Sequence, residues 1–109
     1  MSRIDTLRNY LEAKPADRFA LYSLALEHRK AGNIAEAEAA FALLLAHHPQ
    51  SGAGHYQLGL LHRDNGDFPQ ARVAWERGLA QLSTASDAEA ARSRGEITRE
   101  LDALSAFEG

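Results

Sequence analysis

Histidine is the residue type in this chain that comes closest to suggesting metal or acid–base chemistry. The 109 residues include five histidines. They are His28, His47, His48, His55 and His62. A zinc site needs three or four ligands within about 2 Å of the ion, and no His-x-x-x-His pair occurs here. We interpret His28 and His62 as packing residues and keep a histidine metal site as the least favoured hypothesis.

The motifs of nucleophilic and phosphate chemistry are absent from the sequence. There is no cysteine, and no serine lies in a strand-turn-helix elbow of the kind that exposes a catalytic hydroxyl. Gly52 and Gly54 flank a predicted helix start and read more simply as a flexible turn than as a glycine-rich phosphate loop. We therefore predict that the protein is not an enzyme and binds no cofactor.

A repeated stripe of aromatic, aliphatic and basic side chains has the chemistry of a peptide-binding surface. Its first copy has the spacing i, i+3, i+7, i+10, which places four residues on one side of a helix. Tyrosine offers a rigid contact area, and arginine can bind a carboxylate with two hydrogen bonds. The stripe predicts a ligand peptide with apolar anchors and an acidic group. Its residues are Phe19, Tyr22, Leu26 and Arg29, followed by Tyr56, Leu60 and Arg63.

Composition and charge exclude several other classes of partner. The formal net charge is −3, and much of the acidic excess lies in residues 83–109, which carry three basic and six acidic side chains. Binding to nucleic acid needs clustered Lys and Arg, so we expect no nucleic-acid partner. The longest apolar run, residues 39–46, is too short to cross a membrane. With charged residues at the N-terminus instead of a signal peptide, we expect a cytoplasmic protein without a membrane partner.

The elements that must position these residues follow from an internal repeat of 34 residues. Residues 18–50 and 51–84 share ten identities at this offset. Periods of 20–50 residues are typical of stacked repeat arrays. The identical pairs are Tyr22/Tyr56, Leu24/Leu58, Leu26/Leu60, His28/His62, Arg29/Arg63, Gly32/Gly66, Ala37/Ala71, Ala40/Ala74, Leu45/Leu79 and Ala46/Ala80.

Each copy is predicted to be a helix, a tight turn and a second helix. Gly32 and Gly66 permit the left-handed backbone that ends a helix. Asn33 with Glu36 has the spacing of a capping box for the helix that follows. Asp67 has Gln70 at the same spacing. The two units are expected at residues 17–48 and 51–82.

These residues resemble the tetratricopeptide repeat family, whose 34-residue pattern has characteristic positions 4, 7, 8, 11, 20, 24 and 32. The first unit offers Leu21, Leu24, Ala25, His28, Ala37, Phe41 and Pro49. The second offers His55, Leu58, Gly59, His62, Ala71, Trp75 and Ser83. The departures from the pattern are the histidines and Ser83. The resemblance implies an all-α, right-handed solenoid whose first helices line a concave face, and a non-catalytic role in binding proteins.

The chain ends are predicted to be partial repeats. Residues 3–14 look like the second helix of a unit whose first helix is missing, since Pro15 lies 34 residues before Pro49. Residues 86–106 are expected to form a capping helix that begins at a Ser86–Glu89 capping box. Its single apolar stripe contains Ile97, Leu101 and Leu104. The single domain 1–109 would thus have about six helices.

The favoured hypothesis is an interaction module that binds a peptide or protein segment through the seven stripe residues on the concave face. One alternative is a self-associating scaffold, such as a homodimer, because at least three units are generally needed for a stable stack. Another is that the C-terminal helix covers the stripe. Tyr22 and Leu26 replace the Lys and Asn of the clamp with which some family members hold chaperone tails. That ligand is therefore not expected.

Overall fold

Six helices make up the fold in the computed structural model, which describes residues 1–108. The helices are α1 (Arg3–Ala13), α2 (Arg18–Lys30), α3 (Ile34–His47), α4 (Gly52–Asp64), α5 (Phe68–Leu82) and α6 (Ala88–Glu108). Within the described residues there is no strand. The predicted all-α class is confirmed.

Both predicted turn glycines adopt the left-handed backbone. Gly32 has a φ of 82° and Gly66 a φ of 79°. After each of them the next backbone N–H donates back into the preceding helix, from Asn33 to the carbonyl of His28 and from Asp67 to that of His62, both at 2.8 Å. A glycine is needed at these two positions because a Cβ atom disfavours positive φ.

Side-chain caps start most of the helices, but not always at the predicted residue. Asp67 accepts from the backbone N–H of Gln70 at 3.2 Å, as the spacing predicts. The predicted cap at Asn33 is wrong: its side chain makes no cap hydrogen bond, and its Nδ2 lies 3.1 Å from Nδ1 of His28. The reason is that His28 is buried, and a buried ring nitrogen needs a partner.

The start of α6 also differs from expectation. Asp87, not Ser86, caps this helix and accepts from the N–H of Ala90 at 2.9 Å. At its other end α6 continues to Glu108. Glu100 stands 34 residues after Gly66, so the position at which the earlier first helices turn has no glycine here. The helix therefore continues without a break.

The described chain divides into two compact units, Met1–Pro49 and a second that begins at Gln50. In the first unit α2 packs against both α1 and α3. The N-terminal helix is bound less closely, because no residue of Arg3–Ala13 is buried. Arg3 pairs with Glu27 of α2 at 3.3 Å, and His48 Nε2 lies 2.7 Å from the carbonyl oxygen of Ala16.

The second unit has a core to which α5 and α6 contribute. Its buried cluster consists of Ala71, Trp75, Leu82, Ala90, Ile97 and Leu104. The indole of Trp75 lies against Gly59 of α4 so closely that a Cβ atom there would collide with it. Its Nε1 donates to the carbonyl of Tyr56 at 3.1 Å. The single tryptophan thus fixes the spacing between α4 and α5.

Candidate functional site

The stripe residues of the first unit lie along α2, and its outermost member is strongly exposed. Phe19 leaves 72% of its surface accessible. Tyr22, Leu26 and Arg29 are partly buried. An exposed phenylalanine next to half-buried tyrosine and leucine gives this side of α2 an apolar contact area with a guanidinium at its C-terminal end.

The equivalent stripe on α4 is engaged by other parts of the second unit. Tyr56 and Leu60 pack against the buried cluster that α5 and α6 form. Helix α6 contacts α4 as well as α5. This part of the stripe therefore lies beside the C-terminal helix.

Arg63, the charged member of that stripe, is paired with a carboxylate of α6. Its Nη1 donates to Glu100 Oε2 at 2.9 Å and to Oε1 at 3.1 Å. Its Nε and Nη2 donate to Asp64 Oδ1 at 3.2 and 3.1 Å. The acidic group that the sequence predicts for a bound peptide is thus supplied within the chain by Glu100.

A cavity of about 260 Å³ lies where the end of α6 passes the turn between α4 and α5. Most of its wall is apolar, and the ion pair of Arg63 and Glu100 forms the charged part. Phe68 and Phe107 meet at one side, ring edge to face, with centroids 5.4 Å apart. The lining residues are Arg63, Phe68, Glu100, Ala103, Leu104 and Phe107.

Beyond the cavity, Arg72 of α5 binds the last turn of α6. Its Nη1 lies 3.5 Å from Ser105 Oγ, and its Nη2 pairs with Glu108. Sequence reasoning missed Phe68, Arg72 and Glu100 as contact residues. The available signal was Glu100 at the position of a turn glycine, which indicates that α6 runs on past the α4–α5 turn.

Comparison with protein families agrees with this helical pattern. A family model described as tetratricopeptide repeat matches residues 22–87 and again residues 56–108. The chain belongs to the tetratricopeptide repeat family. The starts of the two matches differ by one 34-residue repeat, and the repeats of this family generally mediate protein–protein interactions. A search of curated proteins found no significant match.

The second match includes α6, which therefore stands where the first helix of a further tetratricopeptide repeat would begin. Three of its residues are charged where the matching residues of α4 are buried or partly buried. At the 34-residue offset, His55, Leu58 and His62 of α4 correspond to Glu89, Arg92 and Glu96 of α6. An apolar second helix would gain little by packing against these charges.

The histidines of this repeat protein are spread over three helices and a loop. His28 and His55 are buried, and the rings of His47 and His48 are 6.4 Å apart. Among residues 1–108 no three His, Cys, Asp or Glu side chains are grouped as metal ligands would be. In the same part of the chain, no helix is long and apolar enough to span a membrane.

Proposed function

We propose that this protein is a non-catalytic module that binds a peptide or protein segment along α2, on the side that we expect to be concave. The observation that carries the proposal is the exposure of Phe19 at the head of a stripe with Tyr22, Leu26 and Arg29. Large aromatic side chains and arginine dominate the binding energy of many protein interfaces.

The second unit supports the chemistry of this proposal. There the equivalent arginine, Arg63, pairs with the carboxylate of Glu100 on α6, an amphipathic helix. Tyr56 and Leu60 pack against the core cluster to which α6 contributes. We infer that Tyr22, Leu26 and Arg29 suit the same kind of ligand, an amphipathic segment with an acidic residue. The α4 part of the stripe can contribute to such a surface only where α6 leaves it accessible. Its residues are Tyr56, Leu60 and Arg63.

The proposal is tested by site-specific photo-crosslinking in cells. A benzophenone amino acid replaces Phe19 in one variant and Leu43 in the other. Leu43 is a matched control because it lies on α3 of the same unit and is 51% exposed. We expect defined protein adducts from position 19 and not from position 43. The same adducts from both positions, or none from position 19, would contradict the assignment.

A second candidate function is self-association, which is favoured by the exposure of residues on α1. None of its residues is buried, and Tyr10 is 47% exposed. A helix whose apolar residues are only half-buried and whose tyrosine is exposed can pair with its copy in a symmetric dimer. This candidate differs from the first in requiring only the protein itself.

A further inference from the structure

We propose that Phe68 and Arg72 form a second peptide site, for an aromatic side chain with a carboxylate beside it, and that the last turn of α6 occupies this site within the chain. The inference extends the proposed function to a surface of the second unit. It rests on that function only in taking the ligand to be a peptide. The site is made by the start of α5 and the adjoining cavity.

The occupant seen in the structure defines the chemistry of the site. Phe107 places its ring against the ring of Phe68 with an edge-to-face geometry, at 5.4 Å between centroids. The neighbouring residue, Glu108, pairs with Arg72. An aromatic ring and an adjacent acid are thus recognised together, the ring by an apolar partner and the acid by a guanidinium.

The last turn of α6 fills the site only in part. Phe107 is 74% exposed although its ring touches Phe68. The cavity of about 260 Å³ remains beside it. The pair of Arg72 and Glu108 is about one-third exposed on both sides, and ion pairs with that exposure contribute little stability. A partner segment can therefore replace these contacts at small cost.

The residue before this turn limits how much of α6 has to move. Leu104 is buried in the core cluster and anchors the helix. The contacts made beyond it are those of Ser105, Phe107 and Glu108 with α5. Release of residues 105–108 would uncover Phe68 and Arg72 and leave Leu104 as the floor of the cavity.

Charge selects an acidic occupant over a basic one. Arg63 at the cavity wall is already paired with Glu100 and Asp64. Arg72 loses its carboxylate partner Glu108 when the last turn is released. Because the freed cation is arginine, a carboxylate next to the aromatic residue of the partner would restore its pairing.

Fluorescence anisotropy with a defined peptide tests the site. The probe is a labelled peptide with the sequence of residues 99–108, blocked at both ends. The proteins are the full native chain and a full-length Phe107→Ala/Glu108→Gln variant that weakens the internal occupant. We expect the variant to bind the probe about tenfold more tightly, because removing a competing state raises the fraction of competent protein.

Two further variants, made in the weakened chain, locate the binding. Arg72→Ala is expected to reduce affinity by a factor of about two to five, the scale of a partly exposed ion pair. Arg77→Ala, an exposed arginine on the same helix, is expected to leave it unchanged. A probe with its phenylalanine and final glutamate replaced by Ala and Gln should not bind. Equal affinity in the native and weakened chains, or an equal effect of both arginine variants, would overturn the proposal.

A second measurement covers the case in which the weakened variant is less well folded. The unlabelled peptide is titrated into the ¹⁵N-labelled native chain, and the amide shifts of Phe68 and Arg72 are compared with that of Phe19. Changes confined to the second unit support the site. Changes at Phe19 alone, or no changes, would contradict it and leave the assignment of the α2 surface unaffected.

Discussion

At the scale of single residues, Gly59 is a position where the packing leaves no room for an added side chain. A Cβ atom added there would collide with the indole of Trp75. We expect Gly59→Ala to lower the free energy of unfolding by about 1–3 kcal/mol, the usual cost of overpacking. This loss exceeds the gain of about 1 kcal/mol that alanine brings in helix propensity.

The measurement is urea unfolding followed by the fluorescence of Trp75, the only tryptophan. Gly95→Ala is the matched control. At that exposed position of α6 an added Cβ meets none of the other described atoms within 4 Å. We expect it to raise stability by up to about 1 kcal/mol. A Gly59→Ala protein as stable as the Gly95→Ala protein would show that the Trp75 contact is not tight.

At the scale of elements, the start of α6 depends on which of two adjacent residues caps it. Asp87 accepts the hydrogen bond from the N–H of Ala90. We expect Asp87→Ala to cost about 1 kcal/mol, the typical value for losing a cap. Ser86→Ala should be close to neutral. Thermal unfolding by circular dichroism measures both, and a larger loss for Ser86→Ala would place the cap one residue earlier.

The same element shows how far the sequence predicts this fold and its site. Three features depend on local spacing and can be predicted from the sequence: the 34-residue period, the turn glycines and the apolar stripe of α6. The pairing of Arg63 with Glu100 joins residues 37 positions apart. It depends on how α6 crosses α4, which no local pattern specifies. Likewise Ser86 and Asp87 are both residue types that cap helices well, so the local sequence does not decide between them.

At the scale of the whole molecule, the first and last helices of the described chain, α1 and α6, differ in their capacity for association. Helix α6 carries the charged residues Glu89, Arg92 and Glu96, which oppose close packing of another helix. The N-terminal helix instead leaves Tyr10 exposed beside half-buried Leu7 and Leu11. Self-association should therefore join α1 to α1 in a closed dimer and not join α1 of one copy to α6 of the next.

Sedimentation velocity over a concentration series tests this expectation with a matched pair of variants. Tyr10→Glu puts a charge on α1, and Val73→Glu puts one on α5. The two native side chains are similarly exposed, Tyr10 at 47% and Val73 at 43%. A dimer formed through α1 should be lost in Tyr10→Glu, because burying an unpaired carboxylate is costly, and retained in Val73→Glu. A native chain that stays monomeric at the highest concentration excludes self-association. Species larger than a dimer would contradict the closed α1 pairing.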